Sequence, residues 1–386
     1  MKIFTFQSIS PHLMRLHYAP TAAMAGNATP RALLRRRVEF PSKEKGVNLV
    51  GELVWPSDER SSLVQSSMPA TSSTLTTSAS EKTLPVSVLA HGLADDRDSF
   101  LLPRLAEELA LRIGVASLRF DFRGNGESGG AFRFGNAATR DGDPADLEAA
   151  VEFLLRGEHE EEPRLRFRVV ALLGHSKAGS AVVSYAAARG GGGGRGGSKE
   201  EDEKKKKDVD GEEEEKEPET TAADPLFVPL IINVAGRFDH ADRAAIASRF
   251  GDDIFSRVRE EAEDQGAGGV PFTWRVGSRK AKKEWRLTAA DLADRLGTDM
   301  GALCGQLPAE TRILCIHGTE DATVPPSAAV RYREAAVEGA EAKSRSLLFP
   351  PRVVMVEGAD HNFTRREKAD ELVEAVVAFV AEGLRE

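Results

Sequence analysis

Three residues far apart in the chain have the types needed for nucleophilic attack on a carbonyl group: Ser176, Asp321 and His361. A serine hydroxyl is a weak nucleophile until a base takes its proton. An imidazole can serve as that base when a carboxylate fixes its tautomer and stabilises its positive charge. The three residues therefore predict acyl transfer through a covalent intermediate on Ser176.

The surroundings of Ser176 support this hypothesis. Its motif is Gly174-His175-Ser176-Lys177-Ala178-Gly179, which follows an apolar run at 169–173 and precedes a helix-compatible stretch at 180–185. A strand, a turn of small residues and a helix are typical of a nucleophile elbow, where a larger side chain would clash with nearby backbone. Ala178 stands where G-x-S-x-G has glycine, and we expect it to be small enough. The alternative interpretation is a serine in a glycine-rich helix cap.

The acid and the base each have competitors. Asp321 could instead be the N-cap of a helix beginning near Pro326, and Glu320 could take the acid role; the place of Asp321 in its motif favours Asp321. His361 is the one histidine of eight that follows the acid loop. Its neighbour Asp360 is poorly placed to orient its ring. We interpret His317 as a structural residue and His175 as the variable residue of the elbow.

An oxyanion hole needs two backbone N–H groups aimed at the tetrahedral intermediate. One is expected from Lys177, the residue after the serine, and the other from Leu93, which follows His91-Gly92 at a predicted strand end. The alternative for His91-Gly92 is a tight turn without a chemical role. We expect the Lys177 side chain to have no part in the role of its amide. The alternative is that the side chain attracts an anionic group of the substrate.

Alternating strands and helices are expected to position these residues. Apolar strand-like runs occur at 47–55, 86–90, 115–121, 168–173, 227–234, 313–317 and 353–356. Helix-like segments lie at 103–113, 144–155, 178–189, 326–336 and 366–384. This alternation predicts an α/β fold, with a mostly parallel central sheet covered by helices on both faces. Active sites of such sheets lie at the carboxyl ends of the strands, where each residue named above is expected.

Residues 236–309 interrupt the alternation and predict a small helical lid, with helix candidates at 237–255, 260–264 and 287–307. The segment has few aromatic residues and many charged ones, which argues against docking on fat droplets. The basic residues of the segment could bind an anionic ester, although we favour the interpretation that they form a solvated face. These residues are Arg275, Arg279, Lys280, Lys282 and Lys283.

Three other segments are not expected to contribute to the core. Residues 1–36 are basic and contain no acid, which predicts a plastid or mitochondrial transit peptide; the alternative is a disordered tail on a cytoplasmic protein. Residues 57–83 are rich in Ser and Thr, and 189–224 contain glycine, lysine and glutamate runs. Both are predicted to be disordered insertions, because neither can bury enough apolar surface to offset the entropy of ordering. The folded domain is then 37–386.

Composition excludes several other functions. The net charge is −9, and residues 199–219 alone hold twelve acidic residues and six lysines, so charge gives no support for nucleic-acid binding. No apolar run approaches the roughly 20 residues that span a bilayer, so no integral membrane association is expected. Cys304 and Cys315 predict neither a disulfide framework nor a metal site. The oligomeric state stays open.

Five ordered motifs resemble those of the α/β-hydrolase superfamily. They are His91-Gly92, the loop at 121–128, the elbow at 174–179, the segment at 317–325 and Asp360-His361. More narrowly, the chain resembles the serine aminopeptidase S33-like or Hydrolase-4 group, which contains cinnamoyl and feruloyl esterases and monoglyceride lipases. Within that group it most resembles plant-type members that carry Gly-His-Ser-Lys at the elbow. The resemblance covers 37–386 apart from the two insertions.

This resemblance implies the α/β-hydrolase fold, in which nucleophile, acid and base follow one another in the order found here. It implies Ser176, Asp321 and His361 as catalytic residues, an oxyanion hole at Leu93 and Lys177, no cofactor or metal, and a small-molecule ester substrate. The loop at 123–128 is architectural in the family. Peptidase or thioesterase activity on the same residues is the alternative, and a small-molecule receptor without turnover is the non-enzymatic one.

Overall fold

A computed structural model gives the fold of the chain and describes residues 32–57, 82–157, 165–190, 224–263 and 268–385. The predicted tail at 1–36 lies almost entirely outside these ranges, and so do the predicted insertions at 57–83 and 189–224. The described ranges contain all five motifs that carry the resemblance.

The strands within these ranges are β1 (Leu33–Pro41), β2 (Asn48–Pro56), β3 (Lys82–Ala90), β4 (Ala116–Phe120), β5 (Leu165–His175), β6 (Leu230–Val234), β7 (Val270–Val276), β8 (Ala281–Leu287), β9 (Arg312–Gly318) and β10 (Arg352–Val356). Eight of them form the central sheet, in the order β1-β2-β4-β3-β5-β6-β9-β10. Strand β2 is antiparallel to both of its neighbours. All the other neighbouring strands of this sheet, which are β4, β3, β5, β6, β9 and β10, pair in parallel. Every residue of β4, β6 and β9 is buried, as expected for strands covered on both faces.

The described helices are α1 (Leu102–Ile113), α2 (Asp143–Arg156), α3 (Lys177–Ala187), α4 (Arg243–Phe250), α5 (Ile254–Glu263), α6 (Ala289–Leu296), α7 (Met300–Cys304), α8 (Ser327–Ala342) and α9 (Arg366–Gly383). Helices α1 and α9 share one apolar core with the sheet, and α2, α3 and α8 share a second. The predicted α/β architecture, with helices on both faces, is therefore confirmed. None of the described helices is long and apolar enough to cross a membrane.

Strand β1 was not among the predicted strands, and the predicted boundary at residue 36 falls inside it. Two arginines of this strand, of which Arg35 belongs to the predicted tail, pair with acidic groups of the domain. Arg35 lies 2.6 Å from Glu107, and Arg37 lies 3.1 Å from Glu127. The basic character at the end of the predicted tail thus belongs to an exposed edge strand.

The insertion at 236–309 lies between β6 and β9 and is not all helical, which corrects the expectation of a helical lid. It contains α4, α5, α6 and α7, but also the antiparallel hairpin of β7 and β8, whose register pairs Val270 with Leu287 and Phe272 with Trp285. Apolar residues alternate with polar ones along β7, which is a strand pattern. An aromatic cluster that includes Phe250 and Trp285 gives the insertion a core of its own, against Phe134.

Candidate active site

Ser176 lies between the end of β5 and the start of α3, in a backbone conformation that few residues other than glycine adopt, with φ 55° and ψ −114°. The small residues around it are required by close packing. A Cβ on Gly174 would lie 2.1 Å from the Ala178 carbonyl oxygen, and a Cβ on Gly179 would lie 2.4 Å from Asn233 Oδ1. Ala178 itself is fully buried and fits without glycine. The turn therefore has the geometry of a nucleophile elbow.

The structure brings Ser176, His361 and Asp321 together, although they come from three different strand ends. Ser176 Oγ lies 3.0 Å from His361 Nε2, and His361 Nδ1 lies 2.7 Å from Asp321 Oδ2. An ionised carboxylate only accepts hydrogen bonds, so Nδ1 carries the proton of the neutral ring. Nε2 therefore presents its lone pair to the serine hydroxyl, as a general base requires.

Asp321 is held ionised by its surroundings. Burial favours the neutral acid, but hydrogen bonds from His317 and His361 outweigh it and hold the pKa of this carboxyl well below its usual range. Its second oxygen, Oδ1, accepts from the backbone N–H groups of Thr323 and Val324 at 2.8 and 2.9 Å. Asp321 is thus fixed on both oxygens.

The competing acids do not reach the imidazole. Glu320 is exposed and faces Arg365 at 3.8 Å. Asp360 binds the backbone and side chain of Thr364. Asp321 does not cap α8 either, because the N-cap position of that helix is Pro326.

The two amides expected to form an oxyanion hole flank the serine. Lys177 is the first residue of α3, so its N–H has no intrahelical acceptor. On the other side, a Cβ on Gly92 would lie 3.3 Å from Ser176 Cβ, which places the Gly92-Leu93 backbone directly beside the serine. Leu93 and Lys177 line the same cavity as Ser176 and His361.

Sequence comparison agrees with this geometry. The model of the alpha/beta hydrolase family matches residues 88–375, which is well over half of the chain and includes every residue of the site. This protein belongs to the alpha/beta hydrolase family. No curated protein matches its sequence. The narrower resemblance to the S33-like group stays a prediction.

Solved structures share the fold of this hydrolase. Est1E from Butyrivibrio proteoclasticus, described with ferulic acid bound, has a TM-score of 0.51 at 16% identity, over 90% of this chain and 100% of its own. GrgF from Penicillium sp. sh18, an alpha/beta hydrolase, gives 0.52 at 15%, over 92% and 100%. DcsB, in complex with a substrate analogue, gives 0.56 at 13%, over 92% and 100%. At such low identities the likeness concerns the fold alone.

The Lys177 side chain of this hydrolase is held by other groups of the protein. Its Nζ lies 2.8 Å from Asp143 Oδ2, and it donates to Asn136 Oδ1 at 2.5 Å and to the Arg133 carbonyl at 3.0 Å. Asp143 is buried and Lys177 is half-buried, so this ion pair already neutralises the charge of Lys177. Of the two interpretations offered by the sequence, the structure therefore favours a lysine that does not attract substrate.

His175, which the sequence presented as the variable residue of the elbow, supports the loop that carries the base. Its ring stacks on Phe100 with 3.8 Å between centroids, and Nε2 lies 3.1 Å from the His361 carbonyl oxygen, to which it donates. Burial, followed by the proximity of His361, lowers the pKa of His175 to about 3. A neutral ring can donate from Nε2 without adding a positive charge behind the base.

The site opens into a cavity of about 780 Å³ between the sheet and the insertion. Of the five basic insertion residues singled out in the sequence, only Arg275 and Lys280 line it. Three arginines that the sequence did not single out also line it: Arg237, Arg249 and Arg295. Among the described residues, no group of His, Cys, Asp or Glu side chains is arranged to hold a metal ion.

Proposed function

We propose that this protein is a serine hydrolase that cleaves carboxylic esters through an acyl-enzyme intermediate on Ser176. The observation that carries the proposal is the hydrogen-bonded chain from Ser176 Oγ through His361 to Asp321, at 3.0 and 2.7 Å. These distances allow proton transfer along the first contact and charge stabilisation along the second.

In the acylation half-reaction, Ser176 Oγ attacks the ester carbonyl as its proton passes to His361 Nε2. The carbonyl oxygen becomes an oxyanion, which the N–H groups of Leu93 and Lys177 stabilise. Asp321 stabilises the imidazolium without taking its proton. When the intermediate collapses, the C–O bond to the alcohol breaks and Nε2 protonates the departing oxygen. An alcohol and an acyl-Ser176 ester result.

Deacylation repeats the same steps with water. His361 Nε2 takes a proton from the water, whose oxygen attacks the acyl carbon. The second tetrahedral intermediate collapses with cleavage of the bond to Ser176 Oγ, and the proton on Nε2 returns to that oxygen. A carboxylic acid is released and the serine is regenerated.

The charge of the cavity favours an ester over the substrate of an aminopeptidase. Apart from Lys177, whose charge Asp143 neutralises, five cationic side chains line the cavity, against three carboxylates, at Asp95, Asp242 and Asp321. An aminopeptidase must accommodate a substrate ammonium group, which such a lining would repel. A thioester carries no such group, so its hydrolysis is the alternative that an assay must separate.

The test is hydrolysis of 4-nitrophenyl butyrate, together with labelling by a fluorophosphonate probe. We expect Ser176→Ala to lose both the labelling and nearly all turnover. Ser184→Ala is the matched control: Ser184 lies on the same helix, donates to the Ala138 carbonyl and does not line the cavity. It should keep both.

Full activity in Ser176→Ala would overturn the proposal. Binding of an ester, seen as a thermal shift, without release of alcohol would favour a receptor over an enzyme. A panel of matched esters, thioesters and aminoacyl amides identifies the bond that is cleaved.

A further inference from the structure

Three arginines of the insertion converge on the cavity that holds Ser176. Arg237 follows β6, Arg249 lies in the last turn of α4 and Arg295 lies in the last turn of α6. All three line the cavity. Their charges are close enough to affect one another. Burial, and then the charges of Arg237 and Arg249, lower the pKa of Arg295 to about 9.

Within the described part of the chain, none of the three guanidinium groups forms an ion pair. Every carboxylate oxygen that the structure describes lies more than 4 Å from them. Among the acids, Asp242 has the largest electrostatic effect on the pKa of Arg237 and of Arg295. Its Oδ1, however, accepts a hydrogen bond from the Ala245 N–H at the start of α4. Arg295 Nε is buried and has no hydrogen-bond partner within the described ranges. Among the described residues, the cluster therefore carries positive charge that no ion pair compensates.

The arginines are nevertheless held in place. The Arg295 guanidinium lies over the Phe134 ring, 4.9 Å from its centroid, and that of Arg249 lies 5.6 Å from the Trp274 centroid. Arg237 Nη2 donates to the Thr323 carbonyl oxygen at 2.6 Å, in the loop that carries the proposed catalytic acid. Contacts with ring faces orient a guanidinium and leave N–H groups at its edge free for a ligand.

Such an arrangement is unfavourable in an empty cavity. Like charges repel, and a partly desolvated cation without an anion is costly, which applies to the half-buried Arg237 and Arg295. Clusters of this kind are retained chiefly at functional sites, where a ligand supplies the missing charge. Guanidinium groups recognise carboxylates and phosphates through paired hydrogen bonds, so the missing partner has that chemistry.

We propose that Arg237, Arg249 and Arg295 form an anion subsite, and that the substrate is an ester carrying a carboxylate or phosphate group apart from the bond that is cleaved. This inference rests on the proposed esterase function, and it narrows the substrate class. Arg275 and Lys280 are exposed on the cavity wall and add to the attraction at longer range.

The test compares a neutral ester with esters that carry an anionic group on the acyl chain or on the leaving group. 4-Nitrophenyl hexanoate is the neutral substrate, and mono-4-nitrophenyl adipate has a carboxylate in place of the terminal methyl group of the same six-carbon chain. 4-Nitrophenyl 5-phosphonopentanoate carries a phosphonate instead, and 3-carboxy-4-nitrophenyl hexanoate places the carboxylate on the leaving group. We expect at least one anionic ester to exceed the neutral one in kcat/KM by about ten- to a hundredfold. Which one does so identifies the anion and its position.

Variants tie that preference to the subsite. Arg295→Gln and Arg237→Gln should each reduce the ratio of kcat/KM for the anionic over the neutral ester by about tenfold or more. Arg259→Gln is the matched control. It removes the same charge from an exposed position on α5 that does not line the cavity, and should leave the ratio as in the wild type.

The wild-type ratio decides the matter even if a variant fails to fold. Hydrolysis of the neutral ester with no preference for any anionic one overturns the anion subsite and leaves the esterase function standing. If no ester is hydrolysed, the proposed function fails, and the subsite is tested by calorimetric titration of the full-length Ser176→Ala protein with adipate and with inorganic phosphate. Binding that Arg295→Gln weakens about tenfold supports the subsite. Absence of binding to both anions overturns it.

Discussion

Asp321 Oδ2 accepts hydrogen bonds from two imidazoles, because His317 Nε2 lies 3.0 Å from the same oxygen that contacts His361. His317 Nε2 also lies 3.1 Å from the Val324 carbonyl oxygen. Since both of these neighbours are acceptors, Nε2 must carry the proton and donate. His317 is completely buried and, through Asp321, positions the proposed base.

We expect His317→Phe to lower the stability of the protein at neutral pH by about 1.5–3 kcal/mol, since it removes a hydrogen bond to a charged group. The sign with pH follows from the depressed pKa of Asp321. A carboxyl whose pKa is lowered on folding contributes stability above its unfolded pKa of about 4, and this contribution is lost as the pH falls further. The gap between wild type and variant in urea unfolding should therefore be largest above pH 5 and shrink below about pH 4.

His317→Gln separates positioning from packing, because its amide can still donate to Asp321. We expect His317→Phe to lower kcat, because Asp321 loses a donor, and His317→Gln to recover part of that loss. Equal kcat in wild type and His317→Phe would show that Asp321 needs no second donor.

The residues of the site could be predicted from sequence because each sits in a short local pattern. The parallel sheet places strand ends on one edge, so Ser176, Asp321 and His361 were expected to meet once their strands were recognised. The choice of Asp321 over Glu320 also had a local signal, the motif around it. The structure supplies the reason, which is that the backbone amides after Asp321 hold its carboxylate inward.

The insertion could not be predicted in the same way. In β8 the charged run of Lys282, Lys283 and Glu284 obscures the alternation that marks a strand. Arg237, Arg249 and Arg295 are separated by 12 and 46 positions and belong to no motif. Only the packing of α4 and α6 around the aromatic cluster brings them to one cavity.

His91 should matter through the peptide that follows it. The Phe122 N–H donates to His91 Nε2 at 3.1 Å, so Nδ1 carries the proton and donates to the Gly92 carbonyl at 2.9 Å. In a trans peptide the N–H points opposite to the carbonyl, so this bond also fixes the direction of the Leu93 N–H. We expect His91→Leu to reduce kcat by about tenfold or more, towards the loss seen when an oxyanion donor is removed.

An independent measurement distinguishes this role from general destabilisation. A boronate inhibitor, which mimics the tetrahedral intermediate, should bind His91→Leu more weakly in proportion to the loss of kcat/KM, while KM changes little. If boronate affinity is retained, His91 does not orient the amide.

Lys177→Met tests the assignment of that side chain to structure. Loss of the ammonium leaves the buried Asp143 carboxylate unpaired, which costs about 3–5 kcal/mol, and the melting temperature should fall accordingly. The backbone N–H remains, so the folded variant should still react with a fluorophosphonate at Ser176. Lys177→Met combined with Asp143→Asn should recover most of the stability. A variant of wild-type stability that fails to turn over esters would show instead that the lysine acts on substrate.

Two substitutions test the packing of the elbow: one enlarges Gly174, and the other reduces Ala178. Gly174→Ala places a methyl group 2.1 Å from the Ala178 carbonyl oxygen, a contact that only displacement of the turn can relieve. Because Ser176 depends on that turn for its strained backbone and its 3.0 Å contact with His361, we expect the variant to lose labelling and turnover together. Ala178→Gly restores the family glycine and should keep both, at a stability cost of about 1 kcal/mol for glycine in a helix. Labelling kinetics and thermal melts of the two variants, measured side by side, check both expectations. An active Gly174→Ala protein would mean that the turn tolerates a wider backbone path than its packing indicates.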